Sequence, residues 1–133
     1  MLRDFKFHHI GIATFDIEKT AKYYLDAGYK KTNTIKDAIQ NVYICFLYKK
    51  GMPYIELLSP VDKTSPISKT LEKSGVSPYH CCYMVNDIES AITRLRIKNY
   101  ILLSKPVIAV ALENRKICFL FNKDVGLIEI MEQ

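Results

Sequence analysis

Two histidines and two glutamates occupy matching positions in a sequence that repeats itself, and these four side chains could hold a metal ion. His9 and His80 lie 71 residues apart, and Glu56 and Glu129 lie 73 residues apart, each inside a phrase that occurs twice. Imidazole nitrogens and carboxylate oxygens are common ligands of divalent ions such as Ni, Co, Zn, Mn or Fe. The residue types therefore predict a metal centre with two nitrogen and two oxygen ligands from the protein.

The surroundings of the glutamates support this interpretation. Each stands between two large apolar residues, in YIELL around Glu56 and in LIEIM around Glu129. Alternation along a strand sends the apolar neighbours to one face and the carboxylate to the other, where a cation would offset its desolvation. A single strand histidine is more often a hydrogen-bonded core or surface residue, and a single strand glutamate usually faces water, so the matched set carries the prediction. His8 is the rival of His9, but the repeat aligns His8 with Tyr79.

The repeat covers whole secondary-structure elements. The phrases FHHIGIAT and YHCCYMV are rich in β-branched and aromatic residues, which favour strands. Asp16 and Asp87 follow them and are suitable N-caps, because a short carboxylate accepts hydrogen bonds from the first helical turn. Gly28 and Asn99 follow the two predicted helices and are the residue types that most readily adopt a left-handed conformation after a helix.

Three strands are predicted after each helix, so that each half has the order βαβββ. The spacing between the halves changes from 71 to 73 residues, which places a two-residue difference within 31–40 and 102–112. The predicted strands are Tyr29–Ile35, Val42–Tyr48 and Tyr54–Leu58 in the first half, and Tyr100–Ser104, Lys116–Phe121 and Leu127–Met131 in the second.

The segment between the halves is predicted to contain one short helix. Ser65 suits its N-cap, Pro66 its first position and Gly75 its end. We therefore divide a single domain, 1–133, into module one at 5–58, a linker with a short helix at 59–77, and module two at 78–131.

The predicted fold class is α+β. An open sheet with one helix cannot bury both of its faces, so two such modules would shield each other. We expect them to be related by a pseudo-twofold axis and to form a curved half-barrel sheet around the metal site, either within one chain or by exchange between two.

Composition limits the remaining possibilities. Apolar residues make up 49% and charged residues 25% of 133 residues, an ordinary balance for a globular domain. No apolar run reaches the roughly 20 residues of a membrane span, and the charged start does not read as a signal peptide, so we expect a cytoplasmic protein. The net charge of +5 comes from scattered lysines without a basic tail, which argues against nucleic acid. Such lysines more often form a solvated surface, and the alternative is a mild field that favours an anionic substrate. The four cysteines are expected to be buried and reduced.

These phrases resemble the vicinal-oxygen-chelate superfamily, which includes glyoxalase I, methylmalonyl-CoA epimerase, extradiol dioxygenases and bleomycin-resistance proteins. The resemblance covers essentially the whole chain. FHHIGIATFDIEKTAKYY, ELLSP, TSPISKTLEKSG and GLIEIMEQ are most similar to the methylmalonyl-CoA epimerase branch, whereas the His-Glu-His-Glu set is like that of glyoxalase I.

The resemblance implies a metal-dependent lyase or isomerase that moves a proton next to a metal-bound carbonyl group. By this resemblance His9, Glu56, His80 and Glu129 would bind the ion (Ni, Co, Zn or Mn), and Glu129 and Glu56 would transfer the proton. The substrate would be an anionic thioester or a thiol adduct, and the enzyme a homodimer. The alternative is a non-catalytic protein that sequesters a small molecule, as bleomycin-resistance proteins do.

Overall fold

The computed structural model describes residues 2–133, which form an α+β fold with two copies of the predicted module. The chain divides into two compact units, one of residues 9–79 and one of residues 2–8 and 80–133. No helix in the described part of the chain is long and apolar enough to cross a membrane. The helices are α1 Ile17–Asp26, α2 Ser68–Ser74 and α3 Ile88–Ile97; the strands are β1 Lys6–Ala13, β2 Lys30–Lys31, β3 Ile35–Asp37, β4 Val42–Tyr48, β5 Tyr54–Pro60, β6 Ser77–Val85, β7 Ile101–Leu102, β8 Val107–Ala109, β9 Arg115–Asn122 and β10 Gly126–Glu132.

The first unit is a small sheet covered on one face by α1. The strand order is β2–β4–β5–β1, with β3 also paired to β4, and β1 and β5 run parallel. The apolar side of α1 packs on this sheet, and burial of that cluster stabilises the unit through the hydrophobic effect. Its buried residues are Ile12, Ile17, Ala21, Cys45, Leu47 and Leu57.

The second unit repeats this arrangement with α3. Its strand order is β6–β10–β9–β7, β8 also pairs with β9, and β6 and β10 run parallel. Residues 2–8 belong to this unit: both carboxylate oxygens of Asp4 accept hydrogen bonds from the Arg94 guanidinium, at 2.9 and 2.7 Å. The paired Arg94 lowers the pKa of Asp4 to about 2. The buried residues of its core are Val85, Ile88, Ala91, Ile92, Leu95, Tyr100, Cys118, Leu120, Ile128 and Ile130.

The predicted helix ends are confirmed in both units. Asp16 accepts a hydrogen bond from the Lys19 backbone N–H at 3.1 Å, and Asp87 accepts one from the Ser90 N–H at 2.7 Å. Gly28 has φ +91° and Asn99 has φ +65°, so each occupies the left-handed region just beyond its helix. The following residue in each case donates back to the helix, as in the Schellman motif.

The edge strands differ from the prediction. In the first unit the predicted strand Tyr29–Ile35 is two short strands along β4, β2 and β3. In the second unit the predicted strand Tyr100–Ser104 contains only β7, and β8 is a further short strand along β9 that was not predicted. In the first unit the interruption is 32–34, and in the second it is 103–106, which is one residue longer. The connection from β8 to β9, at 110–114, is also one residue longer than the 38–41 connection from β3 to β4. These two positions account for the predicted two-residue difference.

The predicted start of the linker helix is wrong. The helix α2 begins at Ser68, and no side chain caps its first turn. Ser65 instead begins a tight turn, because its carbonyl oxygen accepts a hydrogen bond from the Ser68 N–H at 3.1 Å. The predicted end is confirmed, since Gly75 follows the helix with φ +66°.

The four cysteines form no disulfide, as predicted, but the prediction that all are buried is wrong for Cys81, which is half-buried. Cys45 in β4 and Cys118 in β9 occupy matching positions of the repeat and are both buried. Removal from water disfavours the thiolate, so burial raises the pKa of Cys45 to about 11 and that of Cys118 to about 12.

Candidate metal centre

The first unit holds a buried pair of His9 and Glu56. His9 lies on β1 and Glu56 on the parallel strand β5, where the register places Gly11 beside Glu56. The His9 Nε2 atom is 3.5 Å from the Glu56 Oε1 atom. His9 is fully buried and Glu56 is 3% exposed to solvent, so the two polar groups share an environment with little water.

The second unit holds the matching pair of His80 and Glu129. His80 lies on β6 and Glu129 on the parallel strand β10, with Cys82 beside Glu129 in the register. The His80 Nε2 atom is 2.9 Å from the Glu129 Oε2 atom, and the residues are 3% and 2% exposed. A similar pair therefore occurs in each unit, with the two atoms closer together in the second.

The sheet presents each pair on the face opposite its helix. Ile55 and Leu57 pack in the cluster beneath α1, and Ile128 and Ile130 pack beneath α3. Because neighbouring residues of a strand point to opposite faces, the glutamate between them points away from the helix. The predicted alternation is confirmed in both units.

An aromatic ring packs on each histidine, a feature that the sequence analysis missed. The rings of Phe46 and His9 meet edge to face with centroids 5.3 Å apart, and those of Phe119 and His80 also lie 5.3 Å apart. Phe46 is the register partner of Glu56, and Phe119 is the register partner of Glu129. Their matched positions in the repeat were the available signal. Each phenyl ring restricts the orientation of the imidazole that it contacts.

A second missed residue is Cys82. It lies two positions after His80, as Gly11 lies two positions after His9, and both therefore share the face of the histidine. Cys82 is fully buried and is the direct register neighbour of Glu129, whereas Gly11 presents no side chain beside Glu56. The two halves are similar in geometry but differ in what adjoins the carboxylate.

The donor atoms suit a divalent metal. Each pair presents one imidazole Nε2 and one carboxylate oxygen, a combination that first-row ions accept. Each pair is also buried, so little water is available to stabilise the carboxylate. A cation would compensate for this lost hydration. Two protein donors are fewer than the four ligands of a typical tetrahedral site. One unit alone therefore supplies half of such a set.

The chain belongs to the glyoxalase/bleomycin resistance protein/dioxygenase superfamily. The family model matches residues 8–119, which cover most of both modules. The fold and the paired histidines and glutamates agree with the resemblance that the sequence indicated.

Several of its relatives are methylmalonyl-CoA epimerases. The human mitochondrial methylmalonyl-CoA epimerase is 30% identical over 123 residues, which cover 91% of this chain and 69% of the relative. The ethylmalonyl-CoA/methylmalonyl-CoA epimerase of Cereibacter sphaeroides is 28% identical over 130 residues, with 96% and 97% covered. A Streptomyces coelicolor methylmalonyl-CoA epimerase variant in complex with 2-nitronate-propionyl-CoA is similar with a TM-score of 0.85 and 26% identity, with 96% of each chain covered.

Proposed function

We propose that this protein is a metal-dependent epimerase of an acyl-CoA thioester, of the methylmalonyl-CoA epimerase type. The observation that carries the proposal is the buried His–Glu pair that occurs once in each unit, in a chain whose relatives along most of its length are such epimerases. The net charge of +5 also favours an anionic substrate. A homodimer in the cytoplasm remains a prediction from the sequence.

In this proposal His9, Glu56, His80 and Glu129 together hold one divalent ion, Ni, Co, Zn or Mn. The fit rests on their donor atoms and on the fact that each unit contributes two of them. Such an ion, when bound, supplies the positive charge that stabilises an enolate oxygen.

The two glutamates transfer the proton. Glu129 accepts the proton from the carbon next to the thioester carbonyl, which breaks the C–H bond and leaves a planar enolate. A glutamate that transfers a proton would no longer bind the ion in the substrate complex, because a ligand to the ion must be deprotonated. Glu56, protonated in that complex, returns a proton to the other face of the enolate, and exchange with solvent afterwards restores a carboxylate at Glu129 and a carboxylic acid at Glu56. Because both side chains are buried, competing protonation of the enolate by water is limited.

Substitution Glu129→Gln tests this role because an amide cannot accept the proton. We expect the variant to lose at least about 100-fold in the rate of deuterium incorporation at the α-carbon of methylmalonyl-CoA in D2O, since a general base contributes at least that factor. Mass spectrometry of the recovered thioester measures the rate. Glu72→Gln, on the exposed side of α2, is the matched control and should keep the wild-type rate.

Undiminished exchange in the Glu129→Gln protein would contradict the assignment. The methylglyoxal–glutathione adduct should be tested alongside, because turnover of that adduct alone would indicate a lactoylglutathione lyase-like reaction. Tight binding of either compound by wild-type protein without exchange or turnover would indicate the alternative, a sequestering protein.

A further inference from the structure

A groove in the second unit has no part in the proposed chemistry. It lies between α3 and the edge formed by β7 and β8, and has a volume of about 1060 Å³. Apolar side chains and cations both line it. The residues that matter here are Ile92, Leu102 and Val107, which are apolar, and Arg96, Lys105 and Lys116, which are basic.

In the first unit, an ion pair occupies the position that corresponds to the groove. There the Lys31 ammonium lies 3.2 Å from the Glu18 carboxylate and donates to the Thr34 hydroxyl at 3.1 Å. The Lys31 side chain is only 16% exposed, so it lies across the space between α1 and the edge strands. Lys31 therefore bridges α1 and the edge strands at the position that corresponds to the groove.

The second unit lacks this bridge. Glu89 matches Glu18, but the residue that matches Lys31 is Leu102, which cannot form the ion pair. The interruption between β7 and β8 is also one residue longer and brings Lys105 to the groove. The residues that line the groove therefore differ from those at the corresponding position of the first module.

The charges at the groove favour an anion. Three cations and one carboxylate, that of Glu89, line it. Lys116 is 3.8 Å from Glu132, whereas Arg96 and Lys105 make no ion pair among residues 2–133. Arg96 can bind a carboxylate through two parallel N–H groups, and the neighbouring apolar floor can receive an alkyl chain.

We propose that this groove binds a small amphipathic organic anion, an apolar chain that ends in a carboxylate. The alkyl chain packs on Ile92, Leu102 and Val107, and the carboxylate faces Arg96 and Lys105. The site is separate from the proposed catalytic face of this unit. Leu102 pairs with Leu120, which packs beneath α3. The residue before it on β9, Phe119, contacts His80 on the other face of the sheet.

Decanoate is a suitable probe, measured by isothermal titration calorimetry on the full chain. We expect saturable 1:1 binding that Leu102→Lys weakens at least about tenfold, which corresponds to 1.4 kcal/mol. The new lysine restores the residue found at Lys31, so it should pair with Glu89 and fill the groove. Leu103→Lys is the matched control: it adds the same charge at a 55% exposed position outside the groove and should keep wild-type affinity.

Lys105→Gln provides a second variant that does not change the apolar floor. It should weaken decanoate binding about threefold, the effect of an exposed ion pair, and the loss should shrink at high salt. Circular dichroism checks that each variant is folded. Equal loss in Leu102→Lys and Leu103→Lys, equal affinity for decanol, or no saturable binding would each overturn the proposal. Metal content of the same proteins reports separately on the proposed function.

Discussion

At the residue scale, the repeated sequence predicts whether a side chain is buried, and on which face of the sheet it lies, better than it predicts which side chains touch. The sequence placed Cys45 and Cys118 in apolar strands, and both are buried; it also indicated the facing of Glu56 and Glu129. Alternation along a strand is local, so these features follow from the neighbouring residues. The ring contacts of the two histidines were not predicted, because they depend on which residue of the next strand falls opposite.

The two buried thiols lead to a pH-dependent prediction. Burial raises the pKa of Cys45 from 9.0 to about 11 and that of Cys118 from 9.0 to about 12, so the folded protein keeps protons that the unfolded chain releases. Their stabilising contribution is complete below about pH 9 and is lost as the pH rises through this interval. We expect the double variant Cys45→Ala/Cys118→Ala to be less stable at pH 8, because it leaves cavities, but to lose less stability between pH 8 and pH 10.5.

Urea unfolding of both proteins under reducing conditions at the two pH values measures this difference. Tyrosines and lysines also titrate in this interval, but they contribute to both proteins and cancel in the comparison. An equal loss of stability in the wild type and the double variant would show that the thiols ionise alike in the folded and unfolded chains.

At the element scale, the ends of α1 and α3 were predictable, whereas the edge strands and the start of α2 were not. The ends of these helices depend on hydrogen bonds and backbone conformations within a few residues, so the residue types were sufficient to predict them. The residues concerned are Asp16, Asp87, Gly28 and Asn99. The breaks that separate β2 from β3 and β7 from β8 depend on registry with β4 and β9, which residue types do not reveal. The start of α2 was misplaced for a similar reason, since the turn at Ser65 takes the position that a cap would need.

The two left-handed positions should respond in opposite directions to substitution. Gly28→Ala is expected to lower the free energy of unfolding by about 1 kcal/mol, because a Cβ disfavours positive φ. The added Cβ would have only ordinary contacts, 3.6 Å from Lys49, so the cost lies in the backbone. Asn99→Gly should be neutral or slightly stabilising, because glycine adopts φ +65° without that penalty.

Thermal or urea unfolding measures both effects. Ala27→Gly is the matched control for Gly28→Ala, because Ala27 has φ −84° and gains nothing from glycine. A Gly28→Ala protein as stable as the wild type would show that the left-handed geometry at this position carries no cost.

At the scale of the whole molecule, a duplicated module has kept one feature and changed another. Both units contain the buried His–Glu pair with its phenyl ring, and we propose that each pair supplies half of one set of metal ligands. The edge differs, because Lys31 pairs with Glu18 in the first unit, whereas Leu102 lines a groove at the matching position of the second. The sequence predicted the retained residues through their matched positions. It did not predict the groove, because closure depends on how far a lysine side chain reaches across the packed elements.

Metal stoichiometry tests the central claim most directly. We expect calorimetric titration of the metal-free protein with Ni²⁺, Co²⁺ or Zn²⁺ to show one tight site per chain, and His9→Ala and His80→Ala each to abolish that site, because one ion needs ligands from both units. Two sites per chain, with one surviving in each variant, or no tight site at all, would contradict the account.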